Sequence, residues 1–467
     1  MTMVRILVAV SFILALNAGS APRPNVVFML ADQWRAQAFG YAGDPNARTP
    51  NIDKLHREGV SLVNAVAGLP VCCPSRATLL TGRRPLSHGV FMNDVPLPSK
   101  EVTLAEVLRK AGYDTAYIGK WHLDGQGRSA FTPPERRQGF DYWKALECTH
   151  NYNNSAYYAD TPEKLFWEGY DAIAQTRDAQ QYLRDRKNAK TPFFLFLSWG
   201  PPHDPYQTAP EKYRALFDPA KMQLRPNVPP DMEQKARKGM AGYYAHCAAL
   251  DDCVGELLTT LDETRLTTNT IVIFSSDHGD LLGSHGAFHK QRPYEESIRV
   301  PLIFRWPCGL GTQPRELDAL INSEDLMPTI LGLCRASIPR AVQGTDFSRY
   351  LRGGKDPSDS SAILTCVAPF GQWTRAQGGR EMRGLRTMRY TYVRDLNGPW
   401  LLFDNLNDPY QMTNMVNQPG IAQEQARLDA TLARRLKKAK DSFLPATHYI
   451  QEWGYTVDAN GTVPYTH

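Results

Sequence analysis

The chain has 467 residues, of which 42% are hydrophobic and 22% charged, with a formal net charge of +5. These are the proportions of an ordinary globular protein, long enough for a large core and more than one domain. No basic block or aromatic-interleaved patch marks a nucleic-acid surface, and so small a positive balance suits an anionic substrate only weakly.

At the N-terminus, Arg5 precedes an apolar run, Ile6 to Ala15, and then the small residues Ala18-Gly-Ser-Ala21. This pattern predicts a secretory signal peptide over residues 1–21, cleaved near Ala21. The run is too short to span a bilayer and no other long apolar stretch follows. The expectation is an exported protein, periplasmic or secreted, that is not integral to a membrane. Eight cysteines are scattered along the chain with no paired C-x-x-C zinc spacing. Export permits disulfides, whose pairing the spacing does not define; Cys247 and Cys253, six apart on a predicted helix, do not face each other well.

The run Asn25-Val-Val-Phe-Met-Leu30 reads as a strand buried on both faces, ending at Asp32 and Gln33. In an open α/β sheet, ligands bind at the carboxyl ends of strands. A turn carboxylate capping a helix is the plainer alternative for Asp32. Thr49-Pro-Asn-Ile-Asp53 has helix-start chemistry, with Leu55, Val60 and Leu62 as core positions. Next, Cys72, Pro74, Ser75 and Arg76 form C-x-P-S-R ahead of a short helix ending at Gly82. Cys72 then lies at a helix N-terminus, which favours negative charge, and Arg76 one turn on can hold an oxyanion. A buried, disulfide-bonded cysteine pair fits the same pattern.

Thr103 caps a helix over Leu104–Arg109, and Thr115–Ile118 forms a strand leading into Gly119-Lys-Trp-His122. Lys120 and His122, two apart, point to one side if extended. The polar-aromatic stretch 147–158 reads as a loop in which His150 and Tyr152 can stack on and bond a sugar, or simply an ordered surface loop. A helix over Asp171–Arg186 leads to the strand Phe193–Leu197, after which comes His203. A helix over Met240–Leu261 leads to the strand Thr270–Phe274, followed at once by Asp277 and His278. Val300–Trp306 is a further strand and Ser323–Leu333 a capped helix. From about Ser360, strand-like runs at 363–367, 387–393 and 400–403 precede an amphipathic helix over Ile421–Ser442, a smaller α+β unit.

The stretch from Cys72 to Arg83 resembles the signature of the type I sulfatases, in which the first cysteine becomes Cα-formylglycine (3-oxoalanine). The register selects Cys72, because counting from Cys73 puts proline next to the cysteine. Lys120 and His122 resemble the family's G-K-W-H element, and Asp277-His278 with the run through Lys290 to Leu302 resembles its second metal pair. The resemblance implies an α/β fold of the alkaline phosphatase-like kind: a mostly parallel sheet sandwiched by helices, with a smaller C-terminal α+β subdomain. The expected division is a catalytic domain over 22–355 and the subdomain over 356–467. It also implies a divalent cation on Asp32, Gln33, Cys72, Asp277 and His278, calcium by family habit, with magnesium or manganese open given His278. Gln33 stands where relatives carry a second acid.

The catalytic set implied is Cys72, Arg76, Lys120, His122, His203 and Lys290. A hydrated aldehyde attacks sulfur and releases the alcohol, His203 with Lys290 protonates the leaving oxygen, and His122 takes the proton that lets sulfate depart. His285 and His289 are weaker candidates. The partners implied are a sulfated carbohydrate and a formylglycine-generating or sulfatase-maturing enzyme. His150, Tyr152 and the arginines Arg375, Arg380 and Arg383 are the candidate sugar contacts, of which Arg380 is the chosen arginine. Two other readings stay open: a phosphonate or phosphate ester hydrolase of the same superfamily, and an inactive protein that binds sulfated sugars.

Overall fold

The computed structural model describes residues 22–464, so the expected signal peptide lies outside the described residues. The strands of these residues are β1 (Asn25–Asp32), β2 (Val60–Val66), β3 (Asp114–Lys120), β4 (Tyr142–Leu146), β5 (Ala156–Tyr157), β6 (Leu165–Phe166), β7 (Phe193–Pro202), β8 (Thr270–Ser276), β9 (Leu302–Arg305), β10 (Arg315–Asn322), β11 (Ser361–Cys366), β12 (Met382–Thr387), β13 (Tyr390–Asp395) and β14 (Gly398–Asp404). Eight of them form the main sheet, in the order β10-β2-β9-β8-β1-β7-β3-β4.

The central strand β1 runs parallel to both its neighbours, β7 and β8. Its residues divide strictly by face. Val26, Phe28 and Leu30 join one apolar core, while Val27, Met29 and Ala31 join the other. Helices cover both faces, which is why the strand shows no polar alternation. Burying each such side chain contributes about 1.5–3 kcal/mol. The helix Glu233–Glu263 covers one face and the helices Cys72–Thr81 and Leu326–Leu333 the other. Only β9 departs from the parallel direction, pairing antiparallel with β8 and β2.

Three strands of this sheet, β2, β4 and β10, carry no clear signal in the sequence. β2 interrupts its apolar run with Ser61 and Asn64, and the first half of the edge strand β10 alternates with exposed charges. Thr103 closes a capping box with Glu106, as expected.

The strands β11 to β14 form a separate antiparallel sheet in sequence order. Leu428, Leu432 and Leu436 of the helix Ala422–Ala439 lie one turn apart and pack on it. The run expected as one strand over 387–393 is mostly strand, the last residue of β12 and the first four of β13, but a two-residue turn at Met388-Arg389 breaks it, closed where the Tyr390 amide donates to Thr387 Oγ1 at 2.8 Å. The cysteines are all free thiols. Among the described residues no helix is long and apolar enough to cross a membrane.

Candidate active site

The parallel strands β1, β3, β7 and β8 all finish at one edge of the sheet, and the candidate residues lie there. Asp32 closes β1. Gln33 then takes φ +71°, and its amide donates to Asp277 Oδ1, 3.0 Å away beyond the end of β8. Opposite them stands the wholly buried helix Cys72–Thr81, entered from an extended Val71 with no side-chain cap and ended by Gly82 in the left-handed conformation. Cys72 Sγ faces the carboxylates, whereas Cys73 Sγ accepts the Asp94 amide at 3.3 Å. The geometry thus separates the two neighbouring thiols.

Ligand atoms of Asp32, Cys72, Asp277 and His278 lie within 4.8 Å of one another. His278 Nε2 is 3.2 Å from Cys72 Sγ, 3.6 Å from Asp32 Oδ1 and 3.5 Å from Asp277 Oδ1. Its Nδ1 sits 3.1 Å from the Gly279 carbonyl, which places the proton there and leaves Nε2 with its lone pair inward. Two carboxylate oxygens and an imidazole nitrogen converging in a fully buried site fit a divalent cation. Burial and the neighbouring Asp32 charge push Asp277 above its ordinary pKa. Burial acts the same way on Asp32, but Lys120, His203 and Arg76 outweigh it and hold Asp32 below the carboxylate range.

Arg76 departs from the expectation of an oxyanion clamp. Its Nε donates to Asp277 Oδ2 at 3.0 Å and Nη2 to Asp32 Oδ2 at 3.1 Å, while Nη1 donates to the Lys120 carbonyl and Ser198 Oγ. Two carboxylates win the planar fork because they match its geometry. Arg76 therefore orients the acids of the cluster rather than reaching the cleft as a clamp.

Lys120 Nζ lies 2.5 Å from Asp32 Oδ2 and 3.8 Å from Cys72 Sγ. Lys290 Nζ lies 3.4 Å from Cys72 Sγ, 2.6 Å from Gln33 Oε1 and 2.8 Å from His203 Nε2. Burial opposes ionisation of the Cys72 thiol, yet Lys120, Lys290 and His278 draw its pKa well below the usual range. The position is built for a negatively charged atom. Gln33, expected as an uncharged ligand of the cation, turns its side chain to Lys290 and Asp280 in this structure. Its oxygen accepts from Lys290 Nζ and its side-chain amide donates to Asp280 Oδ2 at 2.6 Å.

His122 follows β3 with φ +59° and sets Nε2 3.1 Å from Asp94 Oδ1. Asp94 also takes a two-pronged contact from Arg128, at 3.0 Å each. Burial disfavours an imidazolium at His122, but Cys73, Cys148 and Asp94 prevail and its pKa rises well above the ordinary value. His150 stacks on His203 with ring centroids 4.9 Å apart. His289 pairs with Asp204 at 3.0 Å, next to His203, while His285 is stacked on Tyr294.

Cys72, Lys120, His122, His150, His203 and Lys290 line a cleft of about 110 Å³ with Asn93, Asp94, Arg128, Cys148, Gln291, Phe370, Gln372 and Thr462. The sequence pattern marked none of those eight as site residues. They lie outside the motifs, and Phe370, Gln372 and Thr462 come from the C-terminal part of the chain. A larger cavity of about 600 Å³, lined in part by Arg35, Arg225 and Arg299, contains none of the cluster residues.

Two expected sugar contacts are corrected. Tyr152 is buried and its hydroxyl faces the carbonyls of Gly200, His203 and Asp204 at 3.1–3.3 Å, bracing the His203 turn instead of meeting solvent. Arg380 is absent from the cleft. It pairs with Asp395 at 2.9 Å and lies over the Trp400 ring at 4.4 Å. Arg375 and Arg383 are likewise paired, with Glu381 and Asp441.

The family model described as sulfatase matches residues 24–336. This chain belongs to the sulfatase family. A second model, N-sulphoglucosamine sulphohydrolase C-terminal, matches residues 283–439. An ulvan-active sulfatase of Formosa agariphila is 44% identical over 448 residues, covering 95% of this chain and 87% of that protein. A solved structure of a putative sulfatase from Bacteroides fragilis superposes with a TM-score of 0.82 at 32% identity, covering 92% of this chain and 98% of the other. A second solved structure, in complex with its substrate D-glucosamine-2-N,6-O-disulfate, gives a TM-score of 0.81 at 25% identity, covering 90% and 99% of the two chains. The alkaline phosphatase-like fold and the sulfatase activity expected from the Cys72 signature are therefore established: the protein is a sulfuric ester hydrolase. In this sulfatase the signature cysteine is the thiol that faces the acidic cluster.

Proposed function

We propose that this sulfatase is exported and removes sulfate esters from the sugars of a sulfated polysaccharide or its oligosaccharides, with ulvan as the first candidate. The relative 44% identical is named as ulvan-active, and a solved relative holds a sulfated glucosamine. The nucleophile is formylglycine made from Cys72 by a maturing enzyme, beside a divalent cation on Asp32, Asp277 and His278. Calcium is the first choice, and the imidazole donor admits magnesium or manganese. One observation carries the reading: the Cys72 side chain lies between the acidic cluster and two lysine ammoniums, 3.4 and 3.8 Å away.

Cation and formylglycine together supply an activated oxygen nucleophile near neutral pH. The rest falls to this chain. Lys120 and Lys290 offset the negative charge of the sulfate oxygens in a site from which bulk water is largely excluded. Arg76 fixes both acids. His203 Nδ1 sits 2.8 Å from the Asp204 carbonyl, so its Nε2 is left to share a proton with Lys290. That proton is the one positioned for the leaving sugar oxygen. His122, held by Asp94, lines the cleft with Cys72. We place the division between the catalytic and C-terminal units at residues 355–356, just before β11.

Peptide mass spectrometry of the Cys72 segment, on protein co-produced with a formylglycine-generating enzyme, tests the nucleophile. Exchange of sulfur and two hydrogens for one oxygen is expected. Sulfate release from ulvan oligosaccharides and other sulfated saccharides, run beside a phosphonate monoester, tests the substrate class. An intact thiol, or faster turnover of the phosphonate, overturns the corresponding part.

A further inference from the structure

The cleft is lined by two chemically different sets of side chains. One is cationic, with Lys120, His122 and Lys290 around Cys72. The other comprises Gln291 and Gln372, and it is the unexplained one. Gln291 is 2% exposed, yet its Oε1 accepts no hydrogen bond. Gln372 lies 81 positions further along the chain, and its buried Oε1 is likewise without a donor. A buried amide oxygen left unpaired costs about 1–3 kcal/mol, so a pair of them in one small cleft calls for a donor that arrives with the substrate.

Sulfate is not that donor. Its outer oxygens are acceptors, and an amide oxygen facing them is repelled. The donors available on a sulfated sugar are its free hydroxyls. The Gln372 loop is held in place for such a task. Its neighbour Trp373 has the Arg292 guanidinium over its ring at 5.6 Å, and stacks on Trp400 at 6.1 Å. Arg292 directly follows Gln291, so one contact ties the two glutamine segments together.

We propose that Gln291 and Gln372 accept hydrogen bonds from sugar hydroxyls next to the sulfated carbon and thereby select the sugar. The inference rests on the reading of the substrate as a sulfated carbohydrate.

The test compares kcat/KM for a sulfated oligosaccharide with kcat/KM for 4-nitrophenyl sulfate, which carries no hydroxyl. The oligosaccharide is the ulvan fragment, or whichever sulfated saccharide the wild type hydrolyses fastest. Gln291→Met and Gln372→Met remove the amide at nearly constant volume. Both rates are read on one preparation, so the active fraction cancels from their ratio. The saccharide-to-aryl ratio is expected to fall about tenfold in each variant. A ratio within about twofold of wild type in the folded variants overturns the proposal and leaves the glutamines structural or water-bonded. Gln372→Ala, in an outer loop, decides the matter if Gln291→Met does not fold. Wild-type turnover of 4-nitrophenyl sulfate but of no saccharide overturns the substrate reading instead, a distinct result.

Discussion

The Lys290 ammonium stands 2.8 Å from His203 Nε2, bringing together two residues 87 positions apart. Lys290 also touches Gln33 and approaches Cys72, so it links the nucleophile position to the imidazole. His203 is in turn braced from behind by the Asp204 carbonyl and by the Tyr152 hydroxyl on its own carbonyl. A proton held between two nitrogens matters most when the departing oxygen is a poor leaving group. His203→Ala should therefore lower kcat on sugar sulfates by about 10²–10⁴-fold. With 4-nitrophenyl sulfate, whose phenolate leaves unaided, the loss should be about tenfold or less. Steady-state rates on both substrates check this, and equal losses would remove His203 from the leaving-group role.

Arg76 is a structural centre of the cluster. Its removal would leave Asp32 and Asp277 facing each other, both fully buried, without the one group that bonds both of them and with Lys120 and the imidazoles of His203 and His278 left to offset them. Breaking a buried pair in this way costs about 3–5 kcal/mol. Arg76→Ala should destabilise the fold by that order. Arg76→Lys should recover only a minor part, since one ammonium cannot span both carboxylates. Denaturant unfolding of the three proteins measures the difference. A loss below about 1 kcal/mol for Arg76→Ala would show that the carboxylates do not depend on the fork.

Asp32, Cys72, Lys120, His203 and Asp277 were legible because each follows a long apolar strand or opens a helix, and such positions meet at one edge of a parallel sheet. The same reasoning missed Gln291, Gln372 and Thr462. They enter the cleft from loops and from the C-terminal part of the chain, where no period announces a direction. Tyr152 was misread because an aromatic residue in a polar loop suggests a surface. Here three carbonyls of the turn before and after His203 offer its hydroxyl acceptors, so the ring goes inward. Arg380 was misread for the opposite reason. A surface arginine near the C-terminus found a carboxylate and an indole within its own sheet. The Arg76 fork was read as open to an anion because nothing in a linear pattern shows that Asp32 and Asp277 converge on it.

Cation binding should be visible as stability. In the folded protein, Asp32 and Asp277 bring two carboxylates together out of water, and a cation that binds only this state stabilises it by RT ln(1 + [L]/Kd). Chelator should lower Tm, and excess calcium should restore it. At a free concentration 100 times Kd the gain is about 2.7 kcal/mol. Asp277→Asn should flatten the response of Tm to calcium. A wild-type Tm indifferent to both chelator and calcium would overturn the assignment of these acids to a cation.

Asp171 offers a test by pH that is separate from the cleft chemistry. It opens the helix Asp171–Asp185, is 1% exposed, and its Oδ1 has no hydrogen-bond partner. Burial raises its pKa to about 8, against the lowering contacts from Ser155 and the Ala172 amide. In the unfolded chain the same group titrates near the ordinary value of about 3.9. Between those values the folded state holds a proton that the unfolded state has lost, so the Asp171 contribution to stability is whole below about pH 4 and falls as pH rises toward 8. Asp171→Asn keeps the shape of the protonated side chain and abolishes its titration. At pH 8 the variant should be more stable than wild type by up to about 5 kcal/mol, a gap that shrinks by about 1.4 kcal/mol per pH unit and closes near pH 4. Denaturant unfolding across pH 5 to 8 measures it. Parallel stability profiles for the two proteins would mean that Asp171 is ionised in the fold and that a partner satisfies its charge.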